Sequence, residues 1–290
     1  MLVRATNLIP PNASDLLERA WPLLFVIIGL NMILVERVRF GNWLALGLSL
    51  GILGGVIFLA YDTQAKVVRD DYVETIPPIP LGDHIQGLTV RIEMQAATVA
   101  FIPTLDASRS VGANFRGSTE SRLRLLVQEQ EGGIVEFVIQ EERPNQIPDL
   151  RAYGRGHLDV FLPLGIPITE LSLLNQSGGV RVELQNLEVP RFDLQIERGN
   201  VDLYLPAQAN VLDGNIRIQD GSLRVLADPQ RPLRIRGQVG GEINLNPNNY
   251  VATVNEGVES RGGVQNFQYE LQASLPKGDL IILAPEELGQ

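Results

Sequence analysis

Gly178-Gly-Val-Arg-Val-Glu-Leu184, Gly199-Asn-Val-Asp-Leu-Tyr-Leu205 and Gly221-Ser-Leu-Arg-Val-Leu-Ala227 share one pattern, a glycine followed by side chains in alternation. Two more segments carry it, Gly156-His-Leu-Asp-Val-Phe-Leu162 before them and Gly241-Glu-Ile-Asn-Leu-Asn-Pro247 after. The five glycines stand 22, 21, 22 and 20 residues apart. A fixed period in the twenties predicts a stacked repeat architecture. Each unit is too small to bury its own apolar face, so neighbouring units bury it for one another.

Aligned on the glycine, the second following position holds Leu158, Val180, Val201, Leu223 and Ile243, and the fourth holds Val160, Val182, Leu203, Val225 and Leu245. Period two marks both sets as the inward faces of short strands. Between them lie Asp159, Arg181, Asp202, Arg224 and Asn244, an outward column whose charge changes sign until its last step. Opposite charges facing across adjacent strands contribute roughly 0.2–1 kcal/mol per pair, so the alternation predicts stacking in sequence order. The expected fold is mainly β, a β-solenoid or toastrack-like stack of ~21-residue repeats.

The β-repeat domain is expected over residues 87–290. Its earlier strands are read at Leu88–Ile92, Ala97–Ile102, Arg122–Val127 and Ile134–Ile139, with Gly133 opening a looser sixth repeat. Residues 103–120, rich in Ser, Gly and Asn, read as a loop, and Glu141–Pro148 as an irregular insert. Phe267–Ala273 gives a last alternating strand, and Lys277-Gly-Asp-Leu-Ile-Ile-Leu283 is expected to cap the stack. Ahead of the domain, Asp70-Asp71 and Ile76-Pro-Pro-Ile-Pro80 make residues 62–86 a semi-stiff, extended linker.

Residues 1–20 read as an N-terminal segment with a short capped helix, and residues 21–61 as a transmembrane helical hairpin. Trp21–Val35 is apolar apart from Asn31, and Trp43–Tyr61 is uncharged. At 1.5 Å per residue the second run reaches roughly the 30 Å of a bilayer core. Gly47-x-x-x-Gly51 and Gly51-x-x-x-Gly55 permit close helix approach. A signal peptide is the competing reading, but no small-x-small cleavage site follows the first apolar run. The short connection Glu36–Asn42 sets both chain ends on one side of a cell membrane crossed by two helices. Arg4, Arg19, Lys66 and Arg69 on the terminal side, against Arg37 and Arg39 in the loop, lean toward a cytoplasmic β-domain. Charge density in the loop favours the opposite side.

The 290 residues carry a net charge of −10, two histidines and no cysteine. The acidity argues against nucleic acid as a partner. No disulfide or thiolate site is possible, and two histidines leave little for zinc or general-base chemistry.

Trp21-Pro-Leu-Leu-Phe-Val-Ile-Ile-Gly-Leu30 resembles the paired transmembrane unit of bacterial LiaI and LiaF proteins. Leu162-Pro-Leu-Gly-Ile-Pro-Ile-Thr-Glu-Leu-Ser-Leu173, then Ser177-Gly-Gly-Val-Arg-Val-Glu-Leu-Gln-Asn-Leu187 and Arg198-Gly-Asn-Val-Asp-Leu-Tyr-Leu-Pro206, are similar to the C-terminal domain of LiaF, in the toastrack or putative-adhesin β-repeat group. The resemblance touches residues 16–61 and about 150–250. It implies a membrane-bound regulator of cell-envelope stress signalling, often acting on a sensor kinase, with no catalytic residues to carry over.

No phosphate-cradling loop, Ser-His-Asp order or metal spacing is present. Asp70-Asp71, His84 and His157 are expected to be solvated polar residues, and no catalytic, cofactor-binding or metal-binding residue is assigned. Arg217, Arg224, Arg231, Arg234 and Arg236 concentrate positive charge in the last repeats of an acidic chain. They form a candidate interaction surface for a phosphate, a lipid headgroup or an acidic partner, and outward strand positions that are merely solvated explain them equally well. Two functional readings follow. One is a non-enzymatic membrane-anchored scaffold or signalling modulator that binds a membrane sensor or another copy of itself. The other is a surface adhesin or ligand-binding module for lipid, peptide or glycan. A glycan-degrading enzyme would need clustered carboxylates, and Arg181 separates Asp159 from Asp202.

Overall fold

The computed structural model describes residues 29, 41–65, 67–104, 109–143, 154–206, 212–253, 257–261 and 267–284. They belong to two compact units, residues 1–68 with 145–154, and residues 69–144 with 155–290.

In the first unit a helix spans Gly41–Ala65, 25 residues with no acidic residue in its first turn and no basic residue in its last. Its described side chains include Trp43, Leu46, Leu50, Phe58 and Leu59, all exposed. The first arm of the expected hairpin, Trp21–Val35, lies outside the described residues except for Gly29, which is helical. Among the described residues no helix is long and apolar enough to cross a membrane, the side chains of Gly41–Ala65 being described only in part. The hairpin is therefore not seen.

The second unit is built of strands. In chain order they are β1 (Tyr72–Pro80), β2 (Gly87–Met94), β3 (Ala97–Pro103), β4 (Ser110–Gly117), β5 (Arg122–Gln130), β6 (Ile134–Glu142) and β7 (Gly156–Leu162). The repeats supply β8 (Ile168–Ser177), β9 (Val180–Glu183), β10 (Arg191–Arg198), β11 (Val201–Tyr204), β12 (Leu212–Asp220) and β13 (Leu223–Leu226). The series ends with β14 (Leu233–Val239), β15 (Ile243–Leu245), β16 (Tyr250–Ala252), β17 (Val258–Ser260), β18 (Tyr269–Leu275) and β19 (Leu280–Leu283). Nine form one sheet in the order β1-β4-β7-β3-β9-β11-β13-β19-β15, and ten form the other in the order β16-β17-β14-β18-β12-β10-β8-β2-β6-β5.

Each of the three central repeats contributes one strand to each sheet, and the glycine is the corner between them: Gly178 joins β8 to β9, Gly199 joins β10 to β11, and Gly221 joins β12 to β13. Successive coils are therefore parallel. Val180, Val201 and Leu223 stand in direct register and are 3%, 0% and 0% exposed. The inward residues of both sheets form one apolar core, each fully buried aliphatic side chain stabilising it by about 1.5–3 kcal/mol.

Stacking in sequence order holds for these three coils and fails at both ends. The Gly156 strand, β7, pairs with β3, and β3 pairs with β9. At the other end β19 lies between β13 and β15, so Lys277–Leu283 is an inserted coil rather than a cap. The outward column thus runs Asp159, Ala100, Arg181, Asp202, Arg224, Ile281, Asn244. Arg224 and Asp202 make an ion pair of 3.3 Å, whereas Arg181 turns to Glu183 at 2.7 Å and lies over the Tyr204 ring. Period-two alternation decides which face a side chain takes, and uncharged Ala100 fits between Asp159 and Arg181, and Ile281 between Arg224 and Asn244, without conflict.

Three stretches read as irregular are strands. Residues 110–117 of the expected loop form β4. Residues 72–80 of the expected linker form β1, antiparallel to β4, with a register shift between Ile76 and Ile79 around Pro77-Pro78, and the linker's first four residues, Asp62–Ala65, end the helix. An edge strand tolerates proline because its outward N–H groups need no partner. Glu141 and Glu142 end β6, and residues 144–148 of the expected insert lie outside the described residues.

Among the described residues Glu141 is the one buried carboxylate. Its Oε2 accepts from the amides of Gln95 at 2.8 Å and Ala96 at 3.0 Å. Its Oε1 accepts from Ser121 Oγ at 2.6 Å and Arg143 Nε at 2.9 Å. Gln95 and Ala96 are the corner between β2 and β3, where no glycine stands, and the carboxylate takes up the two corner amides. Burial raises the carboxyl pKa, but Arg143, Ser121 and the two amides outweigh it and hold it below the ordinary carboxylate value.

Candidate arginine groove

Alternation along three neighbouring strands of the ten-stranded sheet builds the site. Leu212, Ile216 and Ile218 of β12, Tyr269, Leu271 and Leu275 of β18, and Leu233 and Ile235 of β14 point into the core. Their alternates point out, and the parallel register aligns them in rows. Asn215, Gln272 and Arg236 form one row, and Arg217, Ser274 and Gln238 the next. These six residues, with Gly237 and Ala273, line a shallow groove of about 480 Å³.

The structure sorts the five candidate arginines. Arg224 is on the nine-stranded sheet and pairs with Asp202 at 3.3 Å. Arg231 sits in the turn before β14 and donates to Gln268 Oε1 at 3.2 Å. Arg234 bonds Glu259 at 2.8 Å and Glu270 at 3.2 Å, with its guanidinium 3.6 Å from the Phe267 ring centroid. Arg217 and Arg236 face the groove and have no ion pair among the described residues. Their Cα atoms stand two strands and two residues apart, about 12 Å. Asp193 at the rim is taken up by amides, accepting from Asn215 Nδ2 at 2.8 Å and Gln195 Nε2 at 3.0 Å.

Two planar guanidinium forks separated by amide and hydroxyl groups suit carboxylate or phosphate groups, which they bind in a bidentate manner. Gln272 and Ser274 escaped the sequence reading because β18 is inserted between β12 and β14, against chain order. The two histidines lie elsewhere. His157 Nε2 is 2.9 Å from Asp159 Oδ1, and His84 Nε2 is 3.3 Å from Glu129 Oε1. Asp71 is 3.6 Å from Arg69. Among the described residues no group of three or more ligating side chains could hold a metal ion.

No family model and no curated protein matches the sequence. The fold has solved counterparts. A "putative cell adhesion protein" from Clostridium sporogenes superposes with a TM-score of 0.60 at 15% identity, over 73% of this chain and 99% of that one. A "putative adhesin" from Bacteroides fragilis covers 75% of this chain and 100% of its own at 6% identity and a TM-score of 0.31. Another, from Parabacteroides merdae, covers 76% of this chain and 97% of its own at 8% identity and a TM-score of 0.21. At these identities the first comparison establishes a shared fold: this chain has the β-rich architecture of the Clostridium sporogenes structure.

Proposed function

We propose that this chain is a non-enzymatic, membrane-anchored binding protein whose β unit docks an acidic partner in the groove between Arg217 and Arg236. A membrane sensor is the proposed partner, with the chain modulating cell-envelope stress signalling as the LiaF-type proteins it resembles do. The observation that carries the reading is the arginine pair. The other three candidate arginines are bonded to neighbouring side chains, whereas these two face an open groove lined by neutral hydrogen-bonding groups. Anchoring by residues 21–61 rests on the sequence, in which Trp43–Tyr61 is an uncharged run of roughly the length of a bilayer core.

A photo-crosslinking side chain at Gln272, used in native membranes, tests the groove. A reproducible adduct is expected, falling at least tenfold in an Arg217→Gln/Arg236→Gln double variant, since each charged hydrogen bond contributes about 1.5–3 kcal/mol. An adduct of unchanged yield in that variant would rule the arginines out.

The second reading, an adhesin or ligand-binding module on the outer face, is favoured by the fold shared with the Clostridium sporogenes protein. A cysteine at Gln219, exposed on β12, separates the two. Ser222 is a poorer position, because its Oγ accepts from Asp279 N. The sensor-modulating reading requires Gln219→Cys to be shielded from an impermeant thiol reagent in intact cells, and the adhesin reading requires it to be labelled.

A further inference from the structure

The free edge of β5 differs from the other three sheet edges. β1 carries Pro77, Pro78 and Pro80 and a register shift. β15 and β16 are three residues each. β5 runs nine residues, Arg-Leu-Arg-Leu-Leu-Val-Gln-Glu-Gln, and pairs with β6 without a shift. A long edge without proline or bulge is a template for another strand.

Two side-chain contacts show which backbone groups face outward. The Leu123 amide donates to Glu74 Oε2 at 3.3 Å, away from β6. The carbonyl of Glu141, opposite Leu123 in register, accepts from Gln95 Nε2 at 3.3 Å. Leu123 and Glu141 are therefore a non-hydrogen-bonded pair. Antiparallel alternation then turns the N–H and C=O groups of Leu125, Val127 and Glu129 away from β6. The same stretch is apolar, with Leu125, Leu126 and Val127 exposed to 39%, 51% and 38%.

We propose that β5 pairs antiparallel with β5 of a second copy of this chain, about a two-fold axis at Leu126, joining the two ten-stranded sheets into one. Leu125 and Val127 of each copy then exchange about four backbone hydrogen bonds with Val127 and Leu125 of the other, and Leu126 faces its counterpart. Charge selects the partner and the direction. Arg122 and Arg124 occupy one end of the stretch, and Glu129 and Glu131 the other. Antiparallel pairing sets the basic end beside the acidic end, whereas a parallel copy would set like beside like. Sliding the copies by two residues to pair Val127 with Leu123 is blocked, because the Leu123 amide is held by Glu74. The pairing is independent of the arginine groove, since four strands separate β12 from β5.

The chain has no cysteine, so single cysteines in the full-length protein report cleanly on contacts in native membranes. Across a non-hydrogen-bonded pair the Cα atoms are about 4.5 Å apart, within disulfide reach. Under mild oxidation Leu126→Cys is expected to yield mostly disulfide-linked dimer, and Gln219→Cys at least tenfold less. Adding Val127→Pro removes an outward N–H that makes no bond to β6, so the melting temperature should hold while the Leu126→Cys cross-link falls at least tenfold. Leu125→Lys should lower it similarly by placing charge at the seam. Cross-linking at Leu126→Cys no greater than at Gln219→Cys, or unchanged by both added substitutions, overturns the pairing. The Gln272 adduct is read in the same membranes, so loss of one contact is distinguishable from loss of the other.

Discussion

Gly199→Ala is expected to lower the melting temperature by roughly 6–12 °C, as a destabilisation of about 3 kcal/mol or more would do in a domain of this size. Gly199 has φ of 152°, a conformation that side-chain-bearing residues adopt only at a cost of about 1–3 kcal/mol. The added methyl group would also sit 1.9 Å from the Gly178 carbonyl oxygen. That second contact is the larger obstacle, because the obstructing atom is backbone and cannot rotate aside. Gly178 and Gly221, with φ of 141° and 144°, would bring a methyl to 1.8 Å from Ala97 O and 2.0 Å from Gly199 O, so the corners stack directly on one another. Gly132 is the control. Its φ is 87° and nothing lies within 4 Å of the position a methyl would take, so Gly132→Ala should cost only about 1 kcal/mol. Thermal melts of the two variants side by side check the contrast. Equal shifts would mean that backbone conformation, rather than corner-to-corner packing, sets the effect.

Glu141→Gln is expected to destabilise the β unit by about 3 kcal/mol and to change how its stability depends on acidity. A glutamine has one oxygen to offer the four donors now shared between two, and its amide N–H groups would oppose either the corner amides or Arg143 and Ser121. The sign of the pH effect follows from the direction of the shift. The folded carboxyl titrates below its unfolded value, near 4.3, so its contribution is complete above about pH 5 and is lost as the pH falls through the lower, folded value. Wild-type stability should therefore drop steeply below about pH 4, and Glu141→Gln should flatten that part of the curve. Chemical denaturation from about pH 3 to about pH 7, which spans the titration window, measures both. Parallel acid limbs for the two proteins would show that this carboxylate does not govern the acid response.

The two features differ in how openly the chain displays them. The corners of the central coils were legible because Gly178, Gly199 and Gly221 recur at a fixed period, and the side chains after them alternate without a break. Leu158 and Ile243 follow the same pattern, yet their strands have other neighbours, because alternation specifies a face and not an adjacent strand. The β2–β3 corner was hidden for a different reason. Ala97 stands where the repeats have glycine, and the corner is held from a distance by Glu141. One local signal for that carboxylate did exist. Val135, Phe137 and Ile139 are inward, and continuing their alternation by one step places Glu141 inward as well. The groove was half legible: the arginines stood out in an acidic chain, but which of them meet a bonding partner among the described residues depended on strand pairings, β11 with β13 for Arg224 and β14 with β17 and β18 for Arg234.

A row of repeats ordinarily frays from its outermost unit, and a pull on the chain end would unzip it one coil at a time. Here β19, the last strand among the described residues, has β13 on one side and β15 on the other, and β3 is flanked in the same way by β7 and β9. Tension applied beyond residue 284 must drag β19 lengthwise out of the interior of a sheet, shearing two ladders together. A translating ribosome meets the same geometry in reverse, because β14 and β15 emerge before the strands that seat them against β12 and β13.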